Sequence, residues 1–273
     1  MPALLIFGLG YTASRVAAAA RGLGWTVDAT GSAGNVNFND SASVRLVAAQ
    51  ATHILSSVPP VVDGDPVLRA YGDALAGKWL GYLSSTGVYG DAGGAWVDEG
   101  APIRGRRDSR NLADQDWLAL GARVFRLPGI YGSGRSALER VAERKAHRVD
   151  LPGQVFSRIH VDDIVSAVIA GFDAPPGAYN IADDHPCDQN AVIEAAARML
   201  GVSAPPFVAL DSLSPMARSF YAENRRVANG KAKRLLGWTP AYPDFAAGLR
   251  ALSAINSPAS ATTPPVAASH DQR

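Results

Sequence analysis

The stretch that most constrains this chain lies near its start: Ala3-Leu4-Leu5-Ile6-Phe7-Gly8-Leu9-Gly10-Tyr11-Thr12-Ala13-Ser14-Arg15. Apolar residues without alternation read as a strand buried on both faces, and an alanine-rich segment to about Gly22 reads as a helix. Between them stands a G-x-G-x-x-A turn. In that context each residue type has a physical reason. Gly8 permits the tight turn, Gly10 leaves the backbone open to a pyrophosphate, and Ala13 lets the helix lie close to the sheet. The helix then points free N–H groups at the phosphates. The stretch therefore predicts dinucleotide binding by Gly8, Gly10, Tyr11, Thr12 and Ala13. The competing reading is a turn that only packs a helix on a strand.

Beyond this unit, strands are expected at 25–30, 35–38, 52–58, 78–84, 122–127 and 177–182. Helices are expected at 41–50, 65–76, 111–121 and 134–148, with another starting near Ile159–Ile164. Strands alternating with helices predict an α/β fold, a Rossmann-type doubly wound parallel sheet with its ligand across the carboxyl edge. Residues 1–134 with 158–183 form the expected dinucleotide-binding domain. Residues 135–157 with 184–256 form a smaller, mainly helical substrate lobe. The 17 residues from Ser257 include 12 Ser, Pro, Ala or Thr and no apolar period, so a disordered tail is expected.

Composition excludes more than it assigns. The formal net charge of +1 makes no case for nucleic acid or an anionic membrane. Cys187 is the single cysteine, which rules out an intrachain disulfide and a cysteine-built metal site; no metal is expected. No Lys or Arg precedes Arg15, and polar residues break the first apolar run, so a secretory signal is not expected and the cytoplasm is. The expected partner is a small-molecule substrate, with neither nucleic acid nor membrane, and oligomeric state is left open.

Five stretches, in order, carry a further signal: Gly8-Leu-Gly10, Tyr82-Leu-Ser-Ser85-Thr-Gly-Val-Tyr89-Gly90, Arg126-Leu-Pro-Gly-Ile-Tyr131-Gly132, His160-Val-Asp-Asp163 and Tyr179-Asn180-Ile181. Together they resemble the short-chain dehydrogenase/reductase superfamily, in its extended, nucleoside-diphosphate-sugar epimerase/dehydratase type. The glycine turn departs from that type's G-x-x-G-x-x-G and looks like that of the atypical members. The resemblance implies a catalytic Ser or Thr followed by Tyr-x-x-x-Lys. Ser85 matches the first. Where the Tyr and Lys would fall, the chain has Arg107-Asp-Ser-Arg110-Asn-Leu-Ala-Asp114, and no tyrosine anywhere has Lys four residues on.

Ser85, just past a strand end, can polarise a carbonyl or bond its own turn. Thr86 is its nearest substitute. Tyr131 can serve as a proton donor if a cation such as Arg135 or Arg158 lowers its pKa, or it can pack its ring at the lobe junction. His160 is a possible acid or base, or a histidine fixed by Asp162 and Asp163. Nucleotide-sugar enzymes of the resembled type often have Arg four residues before that His; here Phe156 stands there. The segment Ser214–Arg226 interleaves Arg218, Arg225 and Arg226 with aromatics, and reads equally as a lining for an anionic group or as a solvated face.

Ser32, Ser57, Val58, Ser84 and Pro128 complete the expected cofactor contacts. The position for an acid that would select NAD is Gly31, and Asp28 comes too early. The cofactor is thus NADP or NAD, with a lean to NADP. Two functions remain: hydride transfer on a small polar, sugar-like substrate by an NAD(P)-dependent oxidoreductase or epimerase, or a redox-silent NAD(P)-binding sensor. A structural protein with no cofactor is a third.

Overall fold

The N-terminal apolar run forms β1 (Ala3–Phe7), and its last four residues are buried. The structure, a computed structural model, describes residues 1–256. The tail expected from Ser257 lies outside the described residues. β1 is followed by α1 (Tyr11–Gly22), whose Ala13, Val16, Ala17 and Ala20 face the sheet and are buried. The remaining sheet strands are β2 (Thr26–Ala29), β3 (His53–Ser56), β4 (Trp79–Ser85), β5 (Arg123–Leu127) and β6 (Gly177–Asn180).

All six pair in parallel in the order β6-β5-β4-β3-β1-β2. The order reverses between β1 and β3, which puts the ligand crevice of such a sheet outside the carboxyl ends at that point. Register aligns those ends: Phe7 pairs with Ser56, and Ser85 pairs with Leu127. Gly8, Ser57, Thr86 and Pro128 follow directly, so four expected site positions leave the sheet along one edge.

Helices cover both faces. α1 and α6 (Val161–Ala170) share one apolar core with the sheet. α2 (Ser41–Gln50), α3 (Pro66–Tyr71) and α4 (Asp108–Ala119) share the other. Asp65 caps α3 by accepting from Val67 and Leu68 N–H, and Pro66 fills its first turn. A third core joins α5 (Ala137–Ala142), α7 (Gln189–Met199) and α10 (Phe245–Asn256). α8 (Pro215–Phe220) and α9 (Gly230–Leu236) complete the helices.

Two expected elements are cut down. The strand at 35–38 is reduced to one bridge, Thr30 to Val36. Asn35 supplies the reason: its Oδ1 accepts from Ala29 N at 2.9 Å and its Nδ2 donates to Asp28 Oδ1 at 2.7 Å. A side chain thus fills the place a ladder would take. The helix expected at 134–148 is only α5. It starts late because Ser136 and Glu139 form a capping box, and it stops where Arg144 takes a left-handed φ of 55°.

Candidate functional site

The β1–α1 turn is built by backbone constraints on Gly8 and Gly31. Gly8 has φ +84°, and a Cβ there would lie 3.0 Å from Val58 Cγ2. The Ser57 hydroxyl donates to the Gly8 carbonyl, and the Gly8 N–H donates to Thr30 Oγ1 at 3.1 Å. Gly31 has φ +110°, and its Cβ would meet Leu9 N at 3.0 Å. The absence of an acid at the end of β2 therefore has a local cause: the residue there must be glycine to let the two turns touch. Ser32 follows it, exposed.

Gly10 is different. It is the N-cap of α1 with φ −92°, and a Cβ would meet nothing within 4 Å. No side chain caps the helix and its first turn holds no acid. The first main-chain bond is Ser14 N–H to the Gly10 carbonyl at 2.9 Å. The N–H groups of Tyr11, Thr12 and Ala13 thus open toward the crevice, as an anion requires. Tyr11 has its ring between Arg15 and Arg135, 4.0 and 4.4 Å from the centroid, and its hydroxyl donates to the Ser133 carbonyl at 2.9 Å. Thr12 and Ala13 are buried against the sheet. These features fit a dinucleotide pyrophosphate: donors without partners, an open approach, and two arginines close by.

At the other end of the edge, Ser85, Thr86, Pro128 and Gly129 line a cavity of about 530 Å³. Its far wall comes from Val155–Ser157 and the 219–227 segment. Ser85 Oγ accepts from Gly87 N–H at 3.1 Å, so the turn-bonding reading holds locally while the hydroxyl proton stays available to the cavity. Ser84 turns its side chain away from that edge. Its side chain faces α4, where the hydroxyl donates to Asp114 Oδ2 at 2.6 Å, and the residue is buried, so only its backbone can meet a cofactor.

Asp114 is also gripped by Arg126, whose third nitrogen reaches the Tyr89 hydroxyl at 3.0 Å. Tyr89 in turn donates to Asn180 Oδ1 at 2.7 Å. The Tyr89, Arg126 and Asn180 motifs are thus joined inside the fold.

Tyr131 stands outside the larger cavity. It lines a neighbouring cavity of about 140 Å³, with its hydroxyl 3.4 Å from the Asp244 carbonyl and its ring against His160. Burial raises its phenol pKa, and Asp183, Asp163 and Asp244 add to the shift while Arg158 opposes it weakly. Its ring packs on His160 and its hydroxyl is turned to the Asp244 carbonyl, which fits the second of its two readings, a ring packed at the lobe junction. Arg158 is held by the Phe156 and Cys187 carbonyls and by Gln189. His160 accepts from Asp162 N–H through Nδ1 at 3.3 Å, leaving buried Nε2 without a partner among the described residues. Burial lowers its pKa, with Asp162 opposing and Arg15 adding to the shift.

The residues that sequence reasoning missed lie at the start of α4, opposite the 214–226 segment, one of whose two readings is a lining for an anionic group. Arg106, Arg107 and Arg110 line the larger cavity together with Arg225, Glu223, Phe156 and Phe220. Arg107 and Arg110 were legible only as occupants of the Tyr-x-x-x-Lys place. Arg110 and Asp114, four residues apart, share one face of α4, and Arg107 precedes that helix as its N-cap in extended backbone.

The sequence matches no family model. A functionally unknown conserved protein from Silicibacter pomeroyi DSS is 41% identical, with 93% of this chain and 99% of that one covered and a TM-score of 0.84. A dTDP-glucose 4,6-dehydratase from Bacillus anthracis, solved with NAD, has a TM-score of 0.73 at 16% identity over 93% of this chain and 96% of its own. A UDP-glucose 4-epimerase from Thermotoga maritima has a TM-score of 0.74 at 16% identity over 92% and 97%. Among curated proteins, a 3-diazoavenalumate denitrifying reductase from a Streptomyces species is 27% identical over 223 residues, 77% of this chain. The match spans 65% of that reductase's length. No helix among the described residues is long and apolar enough to cross a membrane.

Proposed function

We propose an NAD(P)-dependent oxidoreductase or epimerase for this chain, which belongs to the family of the Silicibacter pomeroyi protein. Its fold is that of the short-chain dehydrogenase/reductase superfamily in the NAD-dependent epimerase/dehydratase type. The observation that carries the reading is the open N-terminus of α1 at Gly10, where the chain itself places no demand for glycine. A nicotinamide dinucleotide, when bound, supplies or accepts the hydride. The lean to NADP rests on the lack of any acid at Gly31 or Ser32.

The chain's own residues bind and orient. Tyr11, Thr12 and Ala13 N–H groups hold the pyrophosphate. Ser57 and Val58 shape the turn, Ser32 meets the ribose end, and Pro128 and the Ser84 backbone border the nicotinamide end. Ser85 donates its hydroxyl proton to a substrate carbonyl oxygen as a hydrogen bond, polarising the carbon beside it. The proton that completes reduction enters from water through the open cavity, since Tyr131 and His160 are buried to one side. Residues 135–157 with 184–256 are the substrate lobe: α5, α7 and α10 form its core, and Val155–Ser157 with the 219–227 segment form its wall of the larger cavity. The curated relative, itself called a reductase, supports the reductive direction.

The test is absorbance at 340 nm with NADPH and a panel of small carbonyl compounds, sugars and organic acids. Ser85→Ala is expected to lower turnover at least ~100-fold, as for loss of one polarising donor, and leave nucleotide affinity unchanged. Full activity in that variant removes Ser85 from the reaction. A sensor reading has one observation in its favour: no tyrosine of the chain has Lys four residues on. Nucleotide binding without turnover on any of the panel would support it.

A further inference from the structure

Four arginines, at positions 106, 107, 110 and 225, line the larger cavity against a single acid, Glu223. The acid neutralises only part of that charge. Glu223 accepts from Arg106 Nε at 2.7 Å and from Arg225 Nη1 at 2.6 Å, so one carboxylate is divided between two guanidinium groups. Arg106 also donates to the Ser219 carbonyl, and Arg225 to the Gly90 carbonyl, each at 2.7 Å. This pair ties the 219–225 segment across the mouth of the cavity. Arg107 and Arg110 have no side-chain hydrogen bond or ion pair among the described residues.

Arg107 lines the cavity from the N-cap of α4, in extended backbone, and Arg110 from the helix itself. Asp114 lies one turn after Arg110 on the same face, and it takes the Ser84 hydroxyl, so that face abuts the end of β4. Arg110 therefore stands at the end of β4 where Ser85 and Thr86 leave the sheet. The opposite wall is aromatic. Phe156 and Phe220 stack with centroids 4.8 Å apart and an interplanar angle of 10°. Phe220 is 53% exposed although it lines the cavity, so an apolar ring face is left for a ligand to cover.

We infer that the cavity takes a flat organic oxyanion, with a carboxylate or phosphate held by Arg107 and Arg110 and an aromatic or conjugated body against Phe156 and Phe220. Guanidinium forks match both oxyanions, and ring stacking is indifferent to polar substituents. The inference deepens the oxidoreductase reading by naming a substrate class, and it rests on that reading for the reaction but not for the binding. Ser85 lines the same cavity as the two arginines, so an oxyanion they hold would share it with the Ser85 hydroxyl.

The test is calorimetric titration of the full chain with trans-cinnamate, phenyl phosphate, inorganic phosphate and the neutral cinnamamide, each with and without NADP. Cinnamate or phenyl phosphate is expected to bind at least tenfold tighter than cinnamamide, and which of the two is tighter identifies the oxyanion. Arg107→Gln with Arg110→Gln is expected to lose at least tenfold for the anions, with unchanged thermal melting. Phe220→Ala is expected to weaken cinnamate and phenyl phosphate but not inorganic phosphate. Equal binding of cinnamamide, an unaffected double variant, or no binding of either aromatic anion overturns the inference. Anion binding that persists when no nucleotide binds would refute the oxidoreductase reading alone.

Discussion

Asp114 and Arg126 form a two-pronged ion pair inside the protein, with Arg126 Nη2 2.6 Å from Oδ1 and Nε 3.1 Å from Oδ2. The side chains are 0% and 2% exposed. Desolvation alone would disfavour a charged Arg126, but the Asp114 carboxylate and Tyr89 outweigh it and raise the guanidinium pKa. The pair locks α4 to β5, and with α4 the position of Arg110 at the cavity wall.

Breaking the pair on one side leaves a buried charge unmatched. Asp114→Ala is expected to lower stability by about 3–5 kcal/mol, measured by urea unfolding. Replacing both, as Asp114→Leu with Arg126→Met, is expected to recover most of that loss. A double variant no better than the single one would show that the pair is more than a matched burial of charge.

Asp183 gives the pH dependence. It is buried, and no hydrogen bond of ordinary geometry reaches either carboxylate oxygen. Burial pushes its pKa up to about 7 from the ordinary 3.8, with Arg158 pulling it back only partly. Between those values the native state keeps a proton that the unfolded chain has released. Stability therefore falls as pH rises through that window and levels off above it. Asp183→Asn is expected to flatten this slope, so its melting temperature gains on the parent from pH 5 to pH 8. Parallel curves for the two proteins would contradict the assignment.

Gly31 tests whether the cofactor preference can be rewritten at one position. Its φ of +110° and the 3.0 Å approach to Leu9 N leave no strain-free place for a side chain. Gly31→Asp is expected to cost about 1–3 kcal/mol and to gain no NAD affinity. Unchanged stability with tighter NAD binding would mean the glycine serves no structural need.

What was legible in the sequence was local. The β1–α1 turn, the buried strands and the α/β alternation declare themselves within a dozen residues at a time. The strand at 35–38 failed because Asn35 competes for the backbone of β2, a choice that hydrophobic pattern does not record. The helix at 134–148 failed at Arg144, whose left-handed turn lets Lys145 and Ala146 N–H groups fold back onto the Arg140 carbonyl. Ser84 and Ser85 are adjacent and chemically alike; only the pleat decides that one meets Asp114 and the other the cavity. Glu223 and Arg106 are 117 residues apart and meet across the site, which no spacing rule anticipates.

The central claim is that the turn at Gly10 exists for a dinucleotide. Its direct measurement is calorimetric titration of NADPH, NADP, NADH and NAD into the stripped protein and into Gly10→Ala. A Cβ at Gly10 has open space and an ordinary φ, so the variant should fold like the parent and lose no more than about 1 kcal/mol, the cost of alanine at an N-cap. The parent should bind one pair of nucleotides, and Gly10→Ala should bind the same pair at least tenfold more weakly. No binding of any of the four by the parent, or equal binding by the variant, would contradict the account and leave the turn as a means of packing α1 on β1.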